Sequence, residues 1–273
     1  MIEFTKMSGS GNDFILIDNI GGALKIDDLP AFARRVCKRK VSVGADGLIL
    51  IEKSDRADFR WQFFNADGSR ADMCGNGGRC AARFAFVREI TGPRMSFETG
   101  AGIVDAEVKG TVVKLRLTDP TAARLDYSVP LRGREFDLSS INTGVPHAVA
   151  FTDDIEKCDV KGIGKEIRFH SHFQPAGTNV NFVQMLDRHA VAVRTYERGV
   201  EDETLACGTG AVASALISHL KGLTESPVSV RVRSGEALRI HFECDRGAVG
   251  KVYLEGGATV VYEGRLWPEA LQG

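Results

Sequence analysis

The sequence predicts an α+β fold with few helices, made of two similar halves. Three observations lead to this prediction. Strand-like segments dominate the chain, only a few stretches favour helix, and one cysteine-containing motif occurs twice. The pattern differs from the regular alternation of strands and helices that is typical of doubly wound nucleotide-binding folds.

The strand-like segments are short, rich in β-branched and aromatic residues, and separated by turn residues. The segment that opens the chain, MIEFTKM, alternates in this way, and VKGTVV is typical of a tight hairpin. The remaining segments are GLILIE, FRWQFF, MSFET, GIVDAEV, TVVKLRL, HAVAF, VNFVQ, AVAVRTY, VSVRV, LRIHFE, KVYLE and TVVYE. They predict sheets that are mostly antiparallel.

Helix is favoured chiefly in the stretches 29–39, 77–90 and 208–221. No G-x-G-x-x-G motif follows a strand-like segment, and no G-x-x-x-x-G-K-[ST] motif occurs in the sequence. These absences argue against a dinucleotide site and a P-loop.

One pattern occurs in both halves: a strand, a polar turn, a short acidic stretch, Cys-Gly-polar-Gly and a helix of small residues. The first copy is FRWQFFNADGSRADMCGNGGRCAARFAF and the second is VAVRTYERGVEDETLACGTGAVASALIS. A strand-rich segment ends near Asp119-Pro120. We therefore predict a first lobe at 1–118, to which 257–273 returns, and a second lobe at 119–256. Facing lobes would place Cys74 and Cys207 on opposite walls of one cleft.

Composition limits the partners of this 273-residue chain. Its 35 basic and 36 acidic residues nearly cancel, so neither nucleic acid nor an anionic membrane is indicated. The basic run Arg34, Arg35, Lys38, Arg39 and Lys40 is interpreted as the solvated face of a short helix. No secretion signal and no membrane-length apolar run is visible, which predicts a cytoplasmic protein.

Six cysteines in a chain of this length do not form a disulfide scaffold. No CxxC pair and no zinc-finger spacing is present, so no metal site is predicted. Cys80 is interpreted as a buried helix residue. Cys74 and Cys207 differ from the others because each precedes a glycine-rich helix start.

The first turn of a helix leaves backbone N–H groups unpaired, and with the macrodipole they attract anions. Such a helix start can hold a substrate carboxylate and stabilise a nearby thiolate. Two thiols facing one ligand suggest either a redox pair or two-base proton transfer at a carbon next to the carboxylate. Redox pairs usually have other spacings, so proton transfer is favoured.

Six motifs follow one another along nearly the whole chain: KMSGSGNDF, VGADG, FNADGSRADMCGNGGRCAARF, NTGVPHAV, GTNVNFVQ and YERGVEDETLACGTGA. In these motifs the chain resembles the diaminopimelate epimerase family. The resemblance implies two pseudo-symmetric domains, each a mixed or antiparallel β-barrel-like sheet around a central helix. It also implies epimerisation of LL-2,6-diaminoheptanedioate to the meso form without cofactor or metal, for lysine and peptidoglycan precursor synthesis.

The same resemblance implies residue roles. Cys74 and Cys207 match the catalytic pair, and His147 and Glu197 match residues that tune it. The implied substrate-binding residues are Asn12, Asn65, Gly75, Asn76, Asn179, Glu197, Arg198, Gly208 and Thr209. Taken alone, Asn12 can simply hold a turn, His147 can be a core histidine, and Glu197-Arg198 can be a surface pair. A homodimer is also implied, with Tyr262 as an interface residue.

Two positions depart from the family pattern. Val145 stands where many members have Asn, and Gly47 where some have Gln, so the distal end of the substrate is expected to have fewer side-chain contacts. Three alternatives stay open on the residues themselves. They are a proline or hydroxyproline racemase, a thiol-redox protein and a non-catalytic amino-acid binder. The first typically has histidine where this chain has Asn76.

Overall fold

The computed structural model describes residues 1–245 and 247–271. The α-helices are α1 (Leu29–Val36), α2 (Gly75–Val87), α3 (Val160–Phe169) and α4 (Gly208–Leu220). The strands are β1 (Ile2–Gly9), β2 (Asn12–Asp18), β3 (Gly47–Glu52), β4 (Phe59–Asn65), β5 (Arg94–Thr99), β6 (Gly102–Lys109), β7 (Val112–Arg116), β8 (Thr121–Leu131), β9 (Arg134–Asn142), β10 (Pro146–Phe151), β11 (Asn179–Asp187), β12 (Ala190–Glu197), β13 (Asp202–Thr204), β14 (Val228–Arg231), β15 (Ala237–Asp245), β16 (Ala248–Gly257) and β17 (Thr259–Leu266). Short 3-10 turns lie at Ser171–Phe173 and Pro268–Leu271. Strands outnumber helices, which confirms the predicted α+β class.

The chain divides into two compact units, Met1–Leu115 with the segment from Gly256 onward, and Arg116–Glu255. In the first unit, β1 pairs antiparallel with both β17 and β2. The strands β2 and β3 are parallel with α1 between them, β3 and β4 are antiparallel, and β4 and β5 are parallel with α2 between them. The hairpins β5–β6 and β6–β7 complete this sheet.

The second unit repeats this order of elements. The strands β8, β9 and β10 are antiparallel in turn, and β10 and β11 are parallel with α3 between them. The strand β12 pairs antiparallel with β11 and parallel with β14, and α4 lies between β12 and β14 in the chain. The hairpins β14–β15 and β15–β16 follow. Each unit therefore carries two strand–helix–strand crossovers in a largely antiparallel sheet.

The second helix of each unit is its central element. From Asn76 to Ala82, every residue of α2 is buried, and so is every residue of α4 from Gly210 to Ser218. A helix buried on all sides must have small residues where neighbouring strands approach. Gly78 illustrates this, because a Cβ there would lie 3.0 Å from Leu115 Cδ1. Small residues thus fix the depth at which each helix lies, and with it the position of the helix start.

The helix α3 is absent from the sequence prediction. Its sequence, VKGIGKEIRF, contains two glycines, which weaken a helical pattern. Gly164 is required by packing, because a Cβ there would lie 2.5 Å from Tyr196 Cβ. Tertiary contacts therefore stabilise a helix that local propensity does not favour. Among the described residues, no helix is both long and apolar enough to cross a bilayer.

Candidate active site

Cys74 is the residue at which α2 begins. Its backbone is extended (φ −149°, ψ 121°), and its sulfur accepts a hydrogen bond from the Gly77 N–H at 3.5 Å. Its carbonyl accepts the first helical bond, from the Gly78 N–H at 2.8 Å. The thiol thus lies at the positive end of the buried central helix, beside the backbone N–H groups of Gly75 and Asn76.

Cys207 occupies the same position in the second unit. It precedes α4 with an extended backbone (φ −116°, ψ 109°) and is buried. Its sulfur lies 3.6 Å from Thr209 Oγ1, and its carbonyl accepts from the Ala211 N–H at 2.9 Å. The sequence repeat therefore corresponds to a structural repeat, in which each unit presents one cysteine at the start of its central helix.

In the first unit, two of the predicted ligands are joined by their side chains. Asn76 Nδ2 donates to Asn12 Oδ1 at 2.7 Å, and Asn12 Nδ2 donates to Asp46 Oδ2 at 3.0 Å. Asn76 is 3% exposed, and its Oδ1 has no hydrogen-bond partner among the described residues. The chain of amides fixes Asn12 beside the helix that Cys74 begins, and it leaves one buried acceptor at that helix start.

A group of charged residues supports this chain of amides. Asp13 binds Lys6 at 2.8 Å and Arg39 at 3.0 Å, and Arg39 also donates to Asp46 at 3.0 Å. Burial tends to raise the pKa of the Asp13 carboxyl, but hydrogen bonds from Arg39 and Lys6 lower it overall. Arg39, which lies beyond the end of α1, is exposed as the solvated-face interpretation expects, and it also binds two carboxylates.

In the second unit, Asn179 links three segments through its side chain. Its Nδ2 donates to the Pro146 carbonyl at 3.1 Å, and its Oδ1 accepts from the Arg198 backbone N–H at 2.9 Å. The Arg198 guanidinium donates to the Ala176 carbonyl at 2.7 Å. Asn179 thereby places Glu197 and Arg198, at the end of β12, next to the start of β10.

Two titratable side chains near this point have shifted pKa values. Burial raises the pKa of the half-buried Glu197 carboxyl, and the Thr204 hydroxyl lowers it in part. His147 is fully buried, and its pKa is lowered to about 3, chiefly by desolvation and also by the positive charge of Arg198. The imidazole of His147 is therefore neutral at physiological pH.

The buried neutral imidazole makes the stability of the protein depend on pH. Because the pKa of His147 is depressed on folding, the unfolded chain binds a proton below about pH 6.5 that the folded chain does not. The contribution of the neutral His147 to the free energy of unfolding is therefore fully present above that pH and is lost as the pH decreases towards 3. The loss reaches about 2 kcal/mol at roughly pH 5. We expect His147→Gln to remove the part of the pH dependence of stability that comes from this histidine.

Urea unfolding across this pH range measures the effect. Above about pH 7 the free energies of unfolding of the two proteins should differ by a constant amount, because the histidine is neutral in both states there. An undiminished acid slope in the His147→Gln variant would contradict the assignment.

The other predicted residues lie as follows. Asn65 ends β4, opposite Gly47, and donates to Ser69 Oγ at 2.9 Å. Thr209 is the second residue of α4 and accepts through its carbonyl from Thr143 Oγ1 at 3.2 Å. Tyr262, on β17, is 45% exposed and packs edge-to-face on Phe4.

Gly47 has a structural reason to differ from the family pattern. A Cβ at this position would lie 2.6 Å from Phe63 Cε2 and 2.9 Å from the Phe64 carbonyl oxygen. A glutamine would therefore displace the adjacent strand. Val145 is half-buried, and its carbonyl accepts from the Thr143 N–H at 3.2 Å. Its side chain carries no polar group.

Sequence reasoning missed two supporting residues, Asp46 and Asn181. Asn181 lies two residues after Asn179, so the strand period of two places both on the same face. That period is the signal that could have identified it. Asp46 had no such signal, because only the fold brings it to Asn12. Within residues 1–245 and 247–271, no group of three or more His, Cys, Asp or Glu side chains could hold a metal ion.

The architecture matches that of solved structures that include racemases and epimerases. A probable proline racemase from Agrobacterium radiobacter K84 aligns with a TM-score of 0.71, over 99% of this chain and 95% of that one, at 16% identity. A PhzF-family phenazine biosynthesis protein from Bacillus anthracis aligns with a TM-score of 0.74, over 97% and 99%, at 15% identity. At these identities the likeness establishes the fold class.

The sequence comparisons establish the family. The diaminopimelate epimerase family model matches residues 4–121 and 139–261. Diaminopimelate epimerase from Aquifex aeolicus is 50% identical over 99% of this chain and 100% of that protein. That from Chlorobaculum tepidum is 44% identical, over 95% and 99%. The chain belongs to the diaminopimelate epimerase family, and it is an enzyme of the isomerase class.

Proposed function

We propose that this isomerase converts LL-2,6-diaminoheptanedioate to the meso isomer by proton transfer between Cys74 and Cys207. The reaction needs neither cofactor nor metal and serves lysine and peptidoglycan precursor synthesis. The observation that supports it most strongly is the recurrence of a cysteine at the start of the central helix in both units. One thiolate takes the α-proton and becomes a thiol, while the other thiol gives its proton to the opposite face of the carbon.

The helix starts would lower the barrier to removal of the α-proton. Removal of the α-proton develops negative charge on the adjacent carboxylate, and preorganised N–H donors stabilise such charge. Those donors are the backbone groups at Gly75 and Asn76 and at Gly208 and Thr209. The buried Oδ1 of Asn76 is placed to accept from the substrate ammonium.

The remaining ligands hold the rest of the substrate. Arg198 binds the distal carboxylate, and Glu197 the distal ammonium. The side chains of Asn12, Asn65 and Asn179 complete the site, because each amide both donates and accepts. His147 and Glu197 set the reactivity of the two cysteines.

The direct assay uses purified protein with a chelator and a reducing agent present. Incubation with the LL isomer should give the meso isomer and stop at an equilibrium mixture. Absence of the meso isomer, together with no exchange of the α-hydrogen with solvent, would exclude the proposal. A thiol-redox protein would neither form the meso isomer nor exchange the α-hydrogen with solvent. It would still form mixed disulfides through Cys207 after Cys74→Ser.

We further propose that the enzyme is a homodimer acting in the cytoplasm. Two cysteines that must stay as thiol and thiolate require a reducing compartment. Tyr262, exposed on β17, is the interface residue of this proposal. Sedimentation equilibrium should give twice the chain mass, and a charged residue at this position should weaken the dimer.

The chain of amides around Asn12 gives a test of the binding site. Asp46→Asn removes the carboxylate that accepts from Asn12 and the charge that holds Arg39. We expect KM to rise about fivefold, the equivalent of one lost hydrogen bond of about 1 kcal/mol, with a smaller change in kcat. Steady-state kinetics measures this.

Asp105→Asn is the matched control, because Asp105 lies on β6 of the same unit with its carboxylate exposed. It should leave KM unchanged. Equal KM values for Asp46→Asn and the wild type would show that the carboxylate does not position Asn12.

A further inference from the structure

Asn181 is fully buried and connects three strands of the second unit. Its Nδ2 donates to the Ala148 carbonyl at 3.0 Å and lies 3.1 Å from His147 Nδ1, and both of these residues are on β10. Its Oδ1 accepts from Thr195 Oγ1, on β12, at 2.9 Å. Both amide hydrogens of the Asn181 side chain are therefore engaged in hydrogen bonds within the protein.

These contacts fix which end of the amide faces the imidazole. A backbone carbonyl only accepts hydrogen bonds, so the group facing the Ala148 oxygen must be the NH2. The second hydrogen of that NH2 points to His147 Nδ1. Because a donor faces Nδ1, this nitrogen must be the unprotonated, accepting one, and the proton of the neutral ring lies on Nε2.

We propose that Asn181 is a positioning residue that holds His147 as the neutral Nε2–H tautomer. In this form His147 takes part in the reaction as a hydrogen-bond donor and not as a proton-accepting base. The part of the proposal that concerns the reaction depends on the proposed function, whereas the tautomer does not.

The surroundings of His147 support this tautomer. The strand partners of His147 are Ile141 on β9 and Asn179 on β11, neither of which carries charge. The charged group that acts on the ring is Arg198, and its positive charge disfavours the imidazolium. The Nε2 atom is buried and has no hydrogen-bond partner among the described residues. A buried N–H of this kind suits an anionic acceptor, such as a carboxylate or thiolate of the reaction.

Asn181 also lies against the helix start that carries Cys207. A Cβ at Gly210 would lie 2.3 Å from Asn181 Oδ1 and 3.2 Å from Cys207 Sγ. The same amide that sets the tautomer of His147 is therefore in close contact with the first turn of α4. Asn181 thus ties the orientation of the imidazole to that of the cysteine.

The test is proton–nitrogen correlation NMR on protein labelled with nitrogen-15 at histidine. His147→Gln identifies the signal of His147 among the six histidines. We expect the neutral Nε2–H pattern, unchanged between roughly pH 5 and 8, where an ordinary histidine titrates. An Nδ1–H pattern, or titration of His147 within this range, overturns the proposal. The tautomer and its titration are measured on the wild-type protein, so the result does not depend on epimerase activity, and the His147→Gln variant serves only to assign the signal.

Two variants then test the role of the amide. In Asn181→Asp, a carboxylate oxygen replaces the donor, so His147 should move its proton to Nδ1, and a new ionisation should enter the pH profile of kcat. The expected loss in kcat is about 10- to 100-fold, as for other partners that orient an imidazole. In the matched control Thr195→Val, the donor to Nδ1 is kept and the Nε2–H pattern should persist. If Asn181→Asp keeps the wild-type pattern, or Thr195→Val loses it, Asn181 does not set the tautomer.

Discussion

Replacement of Cys74 or Cys207 by alanine should abolish epimerisation while leaving the protein folded. In the proposed mechanism, each substitution removes one of the two groups that exchange protons with the α-carbon. General acid or base groups contribute about 10²- to 10⁴-fold to a rate, so we expect kcat to fall by about 10⁴-fold in each variant. Conversion of the LL isomer to the meso isomer, followed by chiral separation, measures this.

The two variants should differ in a second measurement. With one thiol left, the enzyme can still remove a proton from one face of the carbon and return one to that same face. In heavy water, one variant should therefore exchange the α-hydrogen of only one isomer, and the other variant that of only the opposite isomer. This complementary pattern is specific to two bases acting on opposite faces.

Cys244→Ser is the matched control, because this cysteine is exposed at the end of β15. It should retain full activity and exchange with both isomers. If Cys74→Ala or Cys207→Ala epimerises at the control rate, that cysteine is neither of the two bases.

Gly210→Ala should destabilise the second unit. The added Cβ would lie 2.3 Å from Asn181 Oδ1, which is held by a hydrogen bond from Thr195 Oγ1. Overpacking of this kind costs about 1–3 kcal/mol, and the displaced helix start should also lower activity. Urea unfolding measures the first effect and steady-state kinetics the second.

Gly77→Ala is the control, because Gly77 follows Cys74 as Gly210 follows Cys207. A Cβ there would lie 3.3 Å from Ile49 Cδ1, the flexible end of a side chain, and no closer than 3.6 Å to its next neighbours. We expect its free energy of unfolding to stay within about 1 kcal/mol of the wild type, since alanine favours the helix. Equal stability of the two variants would mean that the Asn181 side chain moves to make room for the added methyl group.

The sequence was sufficient to predict the class of fold and the helices that carry the two cysteines. Strand segments and the repeated motif are local patterns, and Cys74 and Cys207 lie where those patterns end. The helix α3 escaped prediction because Gly162 and Gly164 lower its propensity, and only contact with Tyr196 explains Gly164. Packing of this kind is not visible in a local pattern.

The supporting residues were harder to predict than the site residues themselves. Lys6, Asp13, Arg39 and Asp46 come from separate segments and meet only through the fold. Arg39 belonged to a basic run that resembles an ordinary solvated face. His147 and Asn181 meet because β10 and β11 are parallel and in register, which the sequence does not specify.

The most direct test of the central claim follows the fate of hydrogen during a single conversion. The LL isomer is incubated with reduced enzyme in heavy water, and both isomers are isolated after a few per cent of reaction. We expect deuterium at the new centre of every meso molecule and almost none in the recovered LL isomer, because separate sulfurs remove and deliver the hydrogen. Product that keeps the original hydrogen, or equal labelling of both isomers, would show that one group serves both faces.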